Sequence, residues 1–373
     1  MQGVQMPANA LRGIGRWCTE YTMALADLSP QTIAAVSIDE QLAPPAVVAR
    51  LAAQGVPVLT TSQPPPALDD GGYVFHALSP LEDLPLARVW PKWARDPKVG
   101  LVATLYDMIP LLFPEDYFQG ALKRLLQVRY ELYRQAGATI GISQATIDDA
   151  VRLLRLDPTR TFVASGGIAA RFTPHPDGRL AALSGVVSLG VRRDFLLTIG
   201  NVDPRKKVLP LMDAYAALSD ALRHEHQLVV TCSQADERHL DGLRTHARNL
   251  GIADRVIVLP FVTDDVMVAL YQACALMVYP SLYEGLGLPI IEAMACGAAT
   301  LVSDVGPMRE IVTTIDARFD PTSTAAIRER IEFTLTNETF LTELRVRAVK
   351  DASRYTWSDS TGAALAAYRA AVR

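Results

Sequence analysis

FLLTIGNVDPRKKVLPLMDAYAAL, Phe195 to Leu218, changes character twice along its length. Phe195–Ile199 is a short apolar run of the kind that forms a strand covered on both faces. The turn after Gly200 carries Arg205, Lys206 and Lys207, and from Val208 the pattern is helical. Strand, turn and helix are half of a βαβ unit. In open parallel sheets ligands sit outside the carboxyl ends of the strands, where a helix N-terminus adds partial positive charge. Three cations at such a point repel one another unless an anion is near, so a phosphate-bearing ligand is the economical reading. The plain alternative is a solvated basic turn.

The same alternation extends in both directions. Upstream, Thr32–Ile38, Val56–Thr60, Val99–Leu105, Ala138–Ile142 and Arg160–Ala164 read as strands with amphipathic stretches between them. Downstream, Gln227–Thr231, Arg255–Leu259, Leu276–Tyr279 and Ala299–Val302 do the same. A chain of 373 residues exceeds the usual size of one core. Two doubly wound α/β domains are therefore expected, residues 1–185 and 186–355, with a final helix over 356–373 opened by a capping Ser358 and returning to the first domain. Pro and Gly break the pattern between Arg171 and Asp194, which reads as the linker, and Pro64–Gly72 reads as a surface loop. MQGVQMPANALRGIGRW shows no strand ahead of its glycines, so the first strand is expected to be truncated.

Composition narrows the function. Hydrophobic residues are 50% and charged residues 20%, as in a globular protein with buried sheets. A net charge of −4 argues against binding nucleic acid, which needs an excess of Lys and Arg. Cys18, Cys232, Cys274 and Cys296 show no C-x-x-C spacing, suggesting neither a zinc site nor a disulfide framework. With no leader-like start and no run of 18 apolar residues, a cytosolic chain is expected.

The second informative stretch is SLYEGLGLPIIEAMACGA, Ser281 to Ala298. It separates Glu284 from Glu292 by seven residues, among them Gly285, Leu286, Gly287, Leu288 and Pro289, and holds no basic residue. Glycines let the backbone approach a ligand and aim amide N–H groups at it, which suits phosphate oxygens. The carboxylates then need neutral donors, such as the hydroxyls of a ribose and a transferred sugar. The alternative makes Glu284 a loop carboxylate and Glu292 a partner of the helix dipole.

RGIGRW at Arg12–Trp17, LYDMIPLLFPEDY at Leu105–Tyr117, ISQATIDDAVRLL at Ile142–Leu154, GNVDPRKK at Gly200–Lys207 and SLYEGLGLPIIEAMACG at Ser281–Gly297 together resemble the retaining glycosyltransferases of family 4. The resemblance implies the GT-B fold, two facing Rossmann-like domains with a deep interdomain cleft. It implies that Glu284 lies beside the donor sugar and that Glu292 holds ribose hydroxyls. Arg205 and Lys206 are implied to grip the diphosphate, helped by amides of Gly285, Leu286, Gly287 and Leu288. Gly13 and Gly15 are implied to face the same phosphates as a glycine loop, and the backbone around Val262 to meet the base. Tyr106 and Asp107 occupy the first-domain motif that contacts donor sugar or acceptor, although many members carry His where this chain has Tyr106. Tyr in that place resembles a subgroup that builds bacterial polysaccharides, often from GDP-mannose. A second basic residue common in the family is replaced by Asn201, and SDVGPMREIV, with Glu310, departs in its lead-in.

Other features are weaker. No Asp-x-Asp pair suggests a chelated metal, and His224 and His226 lack H-E-x-x-H spacing and read as a solvated loop. Ser143 reads as a helix N-cap. The amphipathic helix Gly120–Gln135 reads as a solvated face, with contact to an anionic membrane surface as the alternative. The expected activity is transfer of a hexose, mannose from GDP-mannose ahead of UDP- or dTDP-sugars, to a saccharide or lipid-linked acceptor, with retention and without a cofactor or metal. The competing expectations are a non-catalytic sugar-nucleotide-binding scaffold and a sugar-nucleotide epimerase.

Overall fold

The computed structural model describes residues 13–29, 32–38, 45–60, 64, 73–192, 194–200, 203–232 and 236–372. Contacts divide the chain into Met1–Gly167 with Tyr355–Arg373, and Ile168–Arg354.

In the first unit α1 (Gly13–Leu28) leads to the short strands β1 (Val36–Ser37) and β2 (Val58–Leu59), which pair in parallel. Next come β3 (Tyr73–Ala77), β4 (Val99–Leu105), β5 (Ala138–Gly141) and β6 (Thr161–Val163), a parallel sheet in that order. VGLVATL in β4 is buried everywhere except Gly100, as a strand covered on both faces must be. The helix α2 (Gly120–Gln135) turns Leu126, Tyr130, Leu132 and Tyr133 into the core beside Leu101, Leu105 and Met108. Ser143 caps α3 (Gln144–Leu154) by accepting the Thr146 N–H at 3.1 Å, as its position suggests.

Dinucleotide-binding sheets run in the order 3-2-1-4-5-6. Here the described strands of this unit form two separate parallel sheets, β1-β2 and β3-β4-β5-β6, rather than one sheet in that order. A groove of about 530 Å³ is lined by Val36 and Ser37 of the first and by Tyr73, Phe75 and His76 of the second. The truncated strand expected at the start concerns residues 1–12, which lie outside the described residues, as does all but Pro64 of the Pro64–Gly72 loop.

The C-terminal helix Trp357–Ala371 packs on α1 and on β4, β5 and β6. Its Tyr368 hydroxyl meets that of Tyr21 at 3.0 Å and His76 Nδ1 at 2.8 Å, while His76 Nε2 meets the Thr104 hydroxyl at 2.8 Å. Burial lowers the His76 pKa to about 3, so the imidazole stays neutral. The cap is Thr356 rather than Ser358, its Oγ1 accepting the Asp359 N–H at 3.0 Å.

The second unit holds β7 (Asp194–Gly200), β8 (His226–Cys232), β9 (Val256–Leu259), β10 (Leu276–Tyr279), β11 (Thr300–Ser303) and β12 (Arg318–Phe319). All pairs are parallel, in the order β12-β11-β10-β7-β8-β9. Read from β7, this is 3-2-1-4-5-6, and the direction of winding reverses between β7 and β10. The helices that matter for the site are α4 (Val208–Ala216), α5 (Asp264–Ala273) and α6 (Leu288–Ala295).

The expected linker is folded and belongs to this unit. Arg179–Ala182 and the 3-10 turns of Leu183–Leu189 pack on α5, burying Ala182 and Val186. Arg179 holds both carboxylate oxygens of Asp194 at 3.0 Å and the Ala273 carbonyl at 3.2 Å. Elements this short show no periodicity in the sequence. His224 and His226 likewise sit in the helix Asp220–Glu225 and at the start of β8 rather than in a loop.

Candidate active site

Ligand sites of doubly wound sheets lie at the carboxyl ends of the strands flanking the reversal, here β7 and β10. Beyond β7, Asp203 starts a 3-10 turn, Pro204–Lys206, by accepting the Arg205 N–H at 2.9 Å. Asp followed by Pro favours this turn, since the carboxylate accepts locally and the ring presets φ. Lys207 adopts φ 53° and hands the chain to α4. Beyond β10 the chain runs through Pro280 to Ser281, whose hydroxyl donates to the Tyr283 carbonyl at 3.0 Å. The two loops are stitched together by the Leu282 N–H donating to the Arg205 carbonyl at 2.8 Å. The Arg205 guanidinium adds bonds to the Tyr283 carbonyl, to Ser281 Oγ at 3.3 Å and to Asp203 Oδ2 at 3.0 Å.

This junction brings the basic turn onto Glu284. Lys206 Nζ lies 2.6 Å from Glu284 Oε1 and 2.9 Å from the Tyr279 hydroxyl, and Arg205 Nη1 is 3.3 Å from the same carboxylate oxygen. The Lys206 and Glu284 side chains are 14% and 13% exposed, so water screens the pair little. Burial works against the charge on Lys206, but Glu284 and the Tyr279 phenol outweigh it and raise its pKa. Burial likewise resists ionisation of Glu284, and Lys206 and Arg205 overcome it, so its pKa is lowered. Both groups are therefore ionised at neutral pH. Glu284, in a stretch that holds no basic residue, is met by a cation from elsewhere in the chain rather than by neutral donors alone: Lys206 lies 78 positions away, across the reversal. The basic turn is not a solvated cluster either.

Glu292, half-buried on α6, accepts a hydrogen bond from the Tyr271 hydroxyl of α5 at 3.2 Å. Among the described residues no N-cap side chain caps α4, α5 or α6, whereas Ser219, Asp236, Ser323 and Asn337 cap the helices of this unit that begin at Asp220, Glu237, Thr324 and Glu338. Among the described residues the first-turn amides of α4 and α6 thus have no capping side chain at the edge where anions bind, although the Ile290 N–H donates to the Gly287 carbonyl at 2.9 Å. Leu286 is buried and Gly285 and Leu288 half-buried, and Val262 lies half-buried in the loop after β9 at the same edge. Gly287 precedes α6 with φ 103°, and a Cβ there would stand 3.0 Å from Ile290 Cδ1 and 3.2 Å from Ile311 Cδ1. Gly287→Ala is expected to cost about 1–3 kcal/mol through backbone strain alone, read from the urea midpoint. An unchanged midpoint would mean the loop relaxes without cost.

The first-unit candidates stand differently. Tyr106 follows β4 but is 6% exposed; its hydroxyl donates to the Leu78 carbonyl at 2.9 Å and meets Cys18 Sγ at 3.1 Å. Its ring meets Trp17 edge-on at 5.6 Å, and burial raises its pKa well above that of a free phenol. Tyr106 is thus packed in the core. Asp107, half-buried at the carboxyl end of β4, accepts the Ile109 N–H at 2.9 Å. Gly13 and Gly15 are not a loop: both lie in the first described turn of α1, Gly13 exposed and Gly15 buried, with the Gly15 carbonyl accepting the Thr19 hydroxyl at 3.0 Å. Asn201 lies outside the described residues. Tyr279, Asp203 and Tyr271 escaped the sequence reading, and the only signal for Tyr279 was a polar-tipped ring closing a buried strand.

Two Rossmann-like units in one chain, with cations and a carboxylate meeting at the reversal of the second sheet, are the GT-B architecture of glycosyltransferases. Residues 187–355 match the family model "Glycosyl transferases group 1". Among solved structures, Anabaena HepE in complex with UDP and glucose aligns with a TM-score of 0.71 at 19% identity, covering 93% of this chain and 95% of that one. At this identity the likeness shows the fold. The serotype-specific mannosyltransferase WbdA of Escherichia coli is 30% identical over 268 residues, 71% of this chain and 32% of WbdA. The O-antigen chain mannosyltransferase B of Escherichia coli is 25% identical over 269 residues, 72% of this chain and 70% of that protein. The chain thus spans about a third of the length of WbdA. Among the described residues no helix is long and apolar enough to cross a membrane.

Proposed function

We propose that this chain transfers mannose from GDP-mannose to a saccharide or lipid-linked saccharide acceptor in polysaccharide synthesis, retaining the anomeric configuration. The observation that carries the reading is the Lys206–Glu284–Arg205 junction at the β7/β10 reversal, next to two helix N-termini without side-chain caps. Mannose as the sugar is supported by the names of the Escherichia coli relatives.

Cleavage of the anomeric bond leaves positive charge on the sugar ring and negative charge on the departing diphosphate. Lys206 and the first-turn amides of α4 and α6 are placed to stabilise the diphosphate, a preorganised electrostatic contribution. Arg205 is already held by Asp203, Ser281, Tyr283 and Glu284, so it acts as the brace that fixes the two loops. Glu284 orients the sugar and offsets charge at the anomeric carbon, while Glu292 takes the ribose hydroxyls. The diphosphate accepts the acceptor's proton on the face it leaves, so no protein nucleophile is assigned. Asp107 contacts the acceptor side, and Tyr106 shapes the loop carrying it.

The exposed Leu122 and Val128 on α2, beside Lys123 and Arg124, support peripheral contact with the anionic inner membrane face, where a lipid-linked acceptor resides.

Thermal-shift screening of GDP-, UDP- and dTDP-sugars tests the donor. A ligand at about 100 times its Kd stabilises by about 2.7 kcal/mol, a shift of several degrees. GDP-mannose is expected to give the largest shift, and NMR of the product to show the α configuration kept. A larger shift with a UDP-sugar would overturn the donor assignment, and no shift with any would overturn the site.

A further inference from the structure

We infer that Tyr279 is a positioning residue of the donor site, handing Glu284 a hydrogen bond in place of Lys206 when a diphosphate draws the ammonium away. This rests on the proposed function. In the structure one oxygen, Glu284 Oε1, faces Lys206 Nζ at 2.6 Å, Arg205 Nη1 at 3.3 Å and the Tyr279 hydroxyl at 3.3 Å. The Tyr279 oxygen also accepts from Lys206 Nζ at 2.9 Å, and the ammonium stands 5.2 Å from the centre of its ring. The phenol therefore touches both members of the ion pair, accepting from one and donating to the other.

That geometry resolves a conflict in the proposed function. Lys206 is asked to serve two anions, the protein carboxylate and the diphosphate, and an ammonium that swings toward the second weakens its bond to the first. Glu284 is largely buried, and a buried carboxylate deprived of a donor protonates or turns away. A neutral hydroxyl held on the buried strand β10 cannot be drawn off by the ligand: Tyr279 is 1% exposed and its ring is packed in the sheet. Arg205 cannot take the role alone, because its guanidinium is committed to Asp203, Ser281 and Tyr283. Tyr279 thus keeps Glu284 ionised and aimed at the sugar during the step in which Lys206 is occupied elsewhere. The hydroxyl keeps its own proton throughout, since burial and the neighbouring Glu284 push its pKa up to about 12.

Tyr279→Phe removes the hydroxyl and preserves the ring and its contact with Lys206. GDP affinity should stay within about threefold of wild type, since the groups facing the diphosphate are intact. kcat for mannosyl transfer should fall about tenfold or more, the scale of one hydrogen bond to a charged group. The acid limb of kcat against pH should move to higher pH, because Glu284 loses a bond that favours its charged form. The unfolding temperature of the variant, with and without GDP, separates this from a folding defect. Tyr279→Leu, lacking ring and hydroxyl, should reproduce the kcat loss and also weaken GDP binding. An unchanged kcat in Tyr279→Phe, a kcat loss matched by an equal loss of GDP affinity, or an unmoved acid limb overturns the inference while leaving the donor site standing. A wild-type protein that neither binds GDP nor turns over any sugar nucleotide overturns the proposed function, and this inference with it.

Discussion

Glu284→Gln should slow transfer roughly a hundred- to a thousandfold, the scale of removing one electrostatic element aligned with the transition state, and at the same time should tighten GDP binding. The second half follows from the ion pair. In the wild type, Lys206 is committed to Glu284 at 2.6 Å, and a diphosphate must compete for it. Neutralising the carboxylate frees the ammonium for the ligand. Without ligand the variant leaves the Lys206 ammonium without its carboxylate in a site from which water is largely excluded, while Arg205 keeps Asp203, and removal of one partner of a buried pair costs about 3–5 kcal/mol. The lower end applies, because the pair is 13–14% exposed and Tyr279 still accepts from Lys206. The variant should therefore melt several degrees lower alone and gain more than the wild type from added GDP. Wild-type transfer by Glu284→Gln would reduce Glu284 to a counter-ion of the basic turn.

Lys206→Met should weaken GDP binding by about 1.5–3 kcal/mol, as for a lost charge-assisted hydrogen bond, with the lower value favoured because binding in the wild type exchanges one anionic partner for another. Titration calorimetry reads the change, and an unaltered dissociation constant would move the phosphate site elsewhere. The same variant has a pH signature. The Glu284 pKa is depressed in the folded wild type, so its contribution to stability is complete above the unfolded carboxylate value and is lost as pH falls through the folded one. In Lys206→Met burial is no longer opposed by that ammonium, and this contribution disappears. The gap in unfolding temperature between wild type and variant should be widest near neutrality and close as the pH drops below about 4. A gap independent of pH would show that the pair contributes nothing through ionisation.

Continuous apolar runs made β7, β8, β10 and β11 legible, because strands of a parallel sheet covered on both faces carry no polar alternation to confuse them. β12 is two residues long, and β3, YVFHA, interrupts its apolar run with His76, so neither shows a pattern. Both loops of the site were legible one at a time. Their meeting at one site came from the family resemblance alone, and the ion pair between Lys206 and Glu284 was not read, because it depends on β7 and β10 lying side by side. Hence Glu284 looked unpaired in the sequence and is paired in the structure. Gly13 and Gly15 misled for a different reason. Glycine lowers helix propensity by about 1 kcal/mol, yet Trp17, Cys18, Tyr21 and Leu25 bury one face of α1, and that packing outweighs the local preference. Tyr106 occupies a motif position whose chemistry the sequence suggested, but a hydroxyl bonded to the Leu78 carbonyl has been claimed by the core.

The return of Trp357–Ala371 to the first unit sets the timetable of biosynthesis. Ile168–Arg354 is one uninterrupted span and can close as soon as it leaves the ribosome. The first unit, although its strands emerge earliest, lacks the helix bearing Tyr368 until the whole of the second unit has been made. Its nascent sheet must wait with the backs of β4, β5 and β6 uncovered, so truncation ahead of Trp357 should injure the part of the molecule made first.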